Sequence, residues 1–434
     1  MTTTLRWLVV AVLTTHGLLH LLGVAKGFGL ADVSQLARPI GPLGGMVWLS
    51  AAALVLTATV LLAVGTPTWW WTLALGAAMV SQVAIATSWH DARAGTIVNL
   101  ILLLAAGYGF AAQGPSSFHA QYQERVTRAL ADVDRSPAVL AESDLVDLPG
   151  PLAAYIRHAG AVGRPRVVSF RADFHGRIRS GPKAAWMPFT GQQVNTYGPH
   201  PQRIFLMDAT RSGLPVTVLH VFADSTASMR VRLLSLFTVV DASGPEMDRG
   251  ETVTVFNDLV VMAPGAIVDA PVTWTALDQD HVRGEFTDGD QTIAAVLTFD
   301  AEHDLVDFVS DDRTRASADG KTFTPQRWST PLRGHHDSRG LRVFTAGEGV
   351  WNAGQPTAQF VYLEFRLDAI SDNMGSAETT GTTPTSAPAS SAASFPSGVP
   401  AGEPGRCRPD VAELGALVSR ARATAPVPSV RTRP

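Results

Sequence analysis

Four apolar stretches, residues 8–23, 46–64, 69–87 and 96–112, crowd into the first 113 positions of a 434-residue chain. Each approaches the ~20 residues that, at a rise of ~1.5 Å apiece, cross a bilayer core of ~30 Å. A backbone in hydrocarbon must satisfy its own hydrogen bonds, so four membrane-spanning helices are expected. The first stretch begins like a signal peptide. Three further spans follow it, and no small-residue cleavage site interrupts it, so its retention is expected. The connection 65–68 is short enough to make spans two and three an antiparallel hairpin. Trp69, Trp70 and Trp71 suit the membrane–water boundary, where an indole ring is buried and its N–H stays wet.

Charge is almost absent from this part: only Arg6, Lys26, Arg38, Arg93, Asp32 and Asp91 precede residue 114. Lys26, Arg38 and Arg93 lie in the loops joining spans one to two and three to four, against Arg6 on the other side. That bias places the large domain outside the cytoplasm, although Arg125 and Arg128 even the count once included. Residues 114–373 hold 24 basic and 32 acidic side chains, without the basic footprint that nucleic acid requires. The expected partners are the membrane, from the four spans, and, from the curved sheet expected below, a lipid or other hydrophobic small molecule. The single cysteine, Cys407, lies near the C-terminus, which excludes disulfide frameworks, cysteine zinc sites and cysteine catalysis from the body of the protein.

The periodicity changes from residue 167 onward. In "VVSFRADFHGRIRS" Val168, Phe170, Ala172 and Phe174 alternate with Ser169, Arg171, Asp173 and His175, the pattern of a half-buried strand. Strands are also expected at 203–208, 216–223, 229–236, 273–277, 281–287, 291–300, 305–310, 341–350 and 359–368. Turn signals such as "SGLP" and "TDGD" separate them, and short connections imply antiparallel pairing. Residues 233–240 and 252–262 are nearly continuously apolar and fit a buried helix or a central strand alike. The division is a four-helix membrane domain (1–115), a connector (116–144), an α+β domain dominated by a curved antiparallel sheet (145–373), and a low-complexity tail (374–434) expected to be disordered. No glycine-rich phosphate loop lies between a strand and a helix, which argues against dinucleotide binding.

Several side chains qualify as candidate sites. His16 and His20 stand four apart, ~40° around a helix, and share one face. With Gln82 and the neighbouring Ser81 and Asn99 they form an intramembrane polar cluster. The plainer reading is a hydrogen-bonded pin between helices, aided by Gly17, Ala77 and Gly107; the sharper one is a cofactor, metal, quinone or proton site. Two histidines without a third ligand make a poor zinc pattern, so no metal or cofactor is assigned. Glu246, Asp248 and Glu251 read as a solvated turn. Trp186 and Phe189 cluster beside prolines and fit the wall of an apolar mouth, with Asn257 and Asp258 at its opening. Arg313, Arg327 and Trp328 complete the proposed rim, because arginine clamps phosphate or carboxylate bidentately. Ser329 lacks the glycines of a nucleophile elbow, and no catalytic residue is assigned.

"HGLLHLLG", "SQVAIATSWHDARAGTIVN", "FHGRIRSGPKAAWMPFTGQQVN", "EMDRGETVTVFNDLVVMAP", "SDDR" and "RWSTP", in this order, resemble an uncharacterised bacterial family of membrane-anchored proteins. Members often carry four helices before a β-rich domain of unknown function, and the likeness covers about residues 5–372. The strand pattern is also similar to the curved half-barrel of periplasmic lipoprotein carriers. That second likeness implies an apolar hollow and a carrier or sensor of hydrophobic ligands at the cell envelope. The alternatives are a membrane enzyme or redox module built on the histidine pair, and a structural envelope-stress partner.

Overall fold

A computed structural model of the chain describes residues 3–317, 321–338 and 340–374. The expected tail falls, apart from Met374, outside these residues. The apolar N-terminal part forms α1 (Thr3–Gly27), α2 (Pro42–Val64), α3 (Trp70–Thr87), the short α4 (Trp89–Ala92) and α5 (Gly95–Gln113). Four helices are long and apolar enough to cross a membrane, the last beginning at Gly95. Close approach of α1 and α2 depends on glycine: a Cβ on Gly27 would come within 2.4 Å of the Gly45 Cα. Gly17 likewise lies under Leu56, and Ala77 is buried, whereas Gly107 faces open space and aids no contact.

The chain turns after α5 and enters α6 (Phe118–Ala131), whose first turn is capped by the Ser117 hydroxyl accepting from the Ala120 N–H. Phe118, Tyr122, Val126, Ala129 and Leu130 form one buried stripe of α6. It packs on Val194, Ile204, Leu206, Leu219 and Val221, the outer face of the sheet. The expected connector is thus a packed helix, and a second helix, α7 (Gly150–His158), follows it.

The sheet begins with six consecutive antiparallel strands: β1 (Ser169–Ile178), β2 (Met187–Thr196), β3 (Gln202–Arg211), β4 (Leu214–Ala223), β5 (Thr226–Leu233) and β6 (Phe237–Ser243). A helix, α8 (Pro245–Met262), and a short 3-10 turn follow, then β7 (Val272–Ala276), β8 (His281–Asp288), β9 (Gln291–Phe299) and β10 (Leu305–Ser310). Short strands come next: β11 (Thr314–Ala316), β12 (Phe323–Pro325), β13 (Trp328–Ser329), β14 (Leu332–Arg333), β15 (His336–Ser338) and β16 (Leu341–Val343). β17 (Ala346–Trp351) and β18 (Phe360–Asp372) complete the series. The 14-stranded sheet runs β6-β5-β4-β3-β2-β1-β18-β17-β13-β10-β9-β8-β7, with β14 paired to β17. Its two edge strands, β6 and β7, are therefore joined in sequence through α8. The helix touches β5 and β6 on one wing and β9 and β10 on the other, so the sheet curls around it.

That curl is filled. From Gly250 through Met262 every residue of α8 is buried, and Phe256 stacks among Trp274, Phe286 and Phe308. A helix buried on all sides has no polar face, which is why periodicity left 252–262 undecided. The open hollow expected inside the half-barrel is occupied by the protein's own helix. Residues 233–240 are instead the end of β5, a turn and the start of β6. The sequence pattern missed β2, because its inward face carries Gln193 and Asn195, which invert the usual alternation.

Candidate functional site

Two groups of polar side chains are buried, and a third lines an open cavity. The first is intramembrane. The Asn99 amide donates to the Gln82 Oε1 (3.0 Å), which leaves the Asn99 Oδ1 to accept from the Ser81 hydroxyl (2.8 Å). The Ser81 oxygen then accepts from the Nε2–H of His16 (3.1 Å) and of His20 (2.8 Å). Gln82 in turn donates to the Thr96 hydroxyl (3.2 Å). His16, His20 and Gln82 thus join α1, α3 and α5 in one hydrogen-bonded pin. The His20 Nδ1 is buried without a partner, as is the indole N–H of Trp48, whose ring lies 5.2 Å away.

The second group binds α8 to the sheet. Glu251 and Asp258, seven residues apart, share a helix face. Arg203 of β3 donates from Nε to Asp258 (2.7 Å) and from Nη1 to Glu251 (3.2 Å). Gln193 and Asn195 of β2 also donate to Asp258, at 2.6 and 3.2 Å. His220 of β4 lies 3.4 Å and Arg313 3.7 Å from Glu251. Burial works to raise the Glu251 carboxyl, but its cationic neighbours, with the Thr254 hydroxyl, outweigh burial and hold it low. Burial prevails at Asp258, which is raised despite Arg203, and it pushes His220 down to about 4.

The residues expected to line one apolar mouth are dispersed. Asn257 and Asp258 sit inside the core, not at an opening. Arg313 stacks 4.3 Å over Trp328, whose indole donates to the Tyr362 hydroxyl, so these two border the buried charge group. Arg327 forms a bidentate pair with Asp311 on the exposed surface. Trp186 lies between Arg177 and Arg179, 4.6 and 4.4 Å from its ring. Glu246 and Asp248 are not in a solvated turn but in the first turn of α8, where acids favour the helix N-terminus. Arg203, Gln193, Asn195 and His220 escaped the sequence reading. Their signal was polar residues on the inward face of strands whose neighbours are apolar.

The third group lines a cavity of about 490 Å3 where the membrane helices meet the sheet. Tyr108, Ala112 and Gln113 of α5 form one wall; Pro188, Phe189, Ala209 and Pro215 of β2, β3 and β4 form the other. Phe189 is the only expected site residue found there. At one end His119 of α6 bridges the two parts: Nε2 lies 2.8 Å from the Asp208 carboxylate and Nδ1 lies 3.1 Å from the Ala112 carbonyl. Both partners are acceptors, so the ring donates from both nitrogens as the imidazolium. Asp208 also accepts from the Thr217 hydroxyl (3.1 Å).

Fold and site together define a membrane-helix protein bearing a curved antiparallel sheet closed on its own central helix. The model of a family of unknown function, DUF6544, matches residues 138–365, and the chain belongs to that family. A comparison with curated proteins finds no match. Among solved structures, a LolA superfamily protein from Nitrosomonas europaea is 12% identical, covering 54% of this chain and 94% of its own, at a TM-score of 0.27. A DUF1329 family protein from Desulfovibrio piger is also 12% identical, covering 52% and 92%, at 0.29.

Proposed function

We propose that the protein binds an amphiphilic molecule taken from the membrane, in the cavity between α5 and the rim of the sheet. The observation that carries this reading is the position and size of that cavity. Its volume falls within the ~300–1,000 Å3 typical of small-molecule sites. Aromatic and aliphatic surface from Tyr108, Phe189, Ala209 and two prolines suits an apolar portion, while His119 and Asp208 offer charges to a headgroup. The hydrophobic ligand expected from the sequence is thereby moved from the inside of the sheet to its membrane-facing rim. The flanking-charge count supports placing this domain outside the cytoplasm.

The test uses the full chain extracted in mild detergent, with native mass spectrometry and lipid analysis of what accompanies it. Stoichiometric amphiphile is expected on the native protein. Thr190, exposed at the cavity edge, tolerates enlargement without core disruption, so Thr190→Trp should fold normally and lose the ligand. A native chain that carries none, and takes up none from added lipid, would refute the proposal.

A further inference from the structure

We infer that the β5–β6 turn, Leu234–Phe237, is a membrane-inserted tip that seats the rim of the sheet in the leaflet from which α5 emerges. The occupant of this apolar surface is the bilayer itself, and the inference does not depend on the cavity holding a ligand.

Depth is set by a residue of the last span. Ser235 of the turn and Tyr108 of α5 border the same cavity. Tyr108 precedes the end of α5 by five residues, ~8 Å along the axis at ~1.5 Å each. As α5 has 19 residues, about 28 Å, it matches a hydrocarbon core of ~30 Å with little to spare. A side chain five residues inside that helix lies within the membrane boundary, and a turn lining the same cavity lies at that level too.

The tip is built for that position. Leu236 and Phe237, at the end of the hairpin, are each 57% exposed. Leu234 and Ser235 adopt φ of 55° and 56°, a region where an aqueous hairpin would ordinarily use asparagine or glycine. A leucine held there at a steric cost fits a turn whose apolar side chains have a partner outside the protein. The tip is also fixed to the membrane part: Arg232 donates to the Ser116 carbonyl (3.2 Å) and lies 4.2 Å over the Phe118 ring, at the bend between α5 and α6. Arg211, exposed at the β3–β4 turn on the same end of the strands, brings a cation to the level of lipid phosphates.

Site-specific labelling of the full chain reads the depth directly. In a Cys407→Ser background, Phe237→Cys or Leu236→Cys is labelled with an environment-sensitive dye and reconstituted in phosphatidylcholine–phosphatidylglycerol vesicles. Asp224→Cys, in the β4–β5 turn at the opposite end of the same strands, serves as the aqueous reference. Doxyl-labelled lipid should quench either tip probe several-fold more than the reference, and iodide should do the reverse. Iodide quenching equal at tip and reference, for both tip positions, would overturn the inference. Repeating the measurement with Thr190→Trp separates insertion from ligand binding, since the tip should stay lipid-quenched when the cavity is filled.

Discussion

Arg203 holds two carboxylates of one helix at once: its Nε donates to Asp258 at 2.7 Å and its Nη1 to Glu251 at 3.2 Å, all three side chains enclosed by the sheet. Because the sheet's edge strands are joined only through α8, this contact also sets how the two wings close. Removing one member leaves a buried charge with half its compensation, which costs about 3–5 kcal/mol. Asp258→Ala should therefore lose about that much stability in denaturant titration of the full chain in micelles. Arg203→Met combined with Asp258→Leu and Glu251→Gln removes all three charges and should recover part of the loss. A triple variant no more stable than Asp258→Ala would show that packing, not charge, dominates the site.

His220 makes the fold sensitive to acid. Burial pushes its folded-state value down to about 4, against ~6.5 for an unfolded histidine. Between these values the unfolded chain binds a proton that the folded one excludes. Stability is thus fully present above pH ~6.5 and falls as pH drops toward 4, by up to on the order of 3 kcal/mol. Asp372 works in the opposite sense: burial raises its carboxyl to about 6, so it favours the folded state at low pH and loses that contribution as pH rises through 6. Thermal unfolding followed between pH 4 and 7 should show a net acid-side loss that His220→Gln flattens and Asp372→Asn steepens. An unchanged slope in His220→Gln would remove this histidine from the account.

The four spans were legible because length and apolar composition suffice to specify a membrane helix. Most strands were legible because one face of each is wet or packed on α6, so alternation survives. Among the elements that were not are α8 and β2. In α8 every position from Gly250 onward is buried, and the two acids there look like surface residues until Arg203, about fifty residues upstream, is brought against them. In β2 the inward positions are polar for the same reason. The cavity residues His119 and Asp208 are 89 positions apart. Only the way α6 lies across β3 and β4 makes them neighbours, and no local pattern encodes that crossing.

Ser81 is where the intramembrane pin converges, since its oxygen accepts from His16 (3.1 Å) and His20 (2.8 Å) while donating to Asn99 (2.8 Å). Ser81→Ala leaves His16 its second acceptor, the Asn99 Oδ1 at 3.2 Å, but strands the His20 Nε2–H on a ring whose Nδ1 already has no partner. An unsatisfied buried donor costs about 1–3 kcal/mol, and interhelical bonds in membranes average about 0.6 kcal/mol. The loss should therefore lie near 1–2 kcal/mol. Adding His20→Leu removes the stranded donor and should restore part of the stability. Gln82→Leu should also cost less, as it leaves both histidine bonds to Ser81 in place. Thermal unfolding of the four proteins in one detergent orders them: native first, then Gln82→Leu and the double variant, with Ser81→Ala last. A Ser81→Ala protein as stable as the native one would mean that the histidines find other acceptors in the bundle, and the pin would lose its centre.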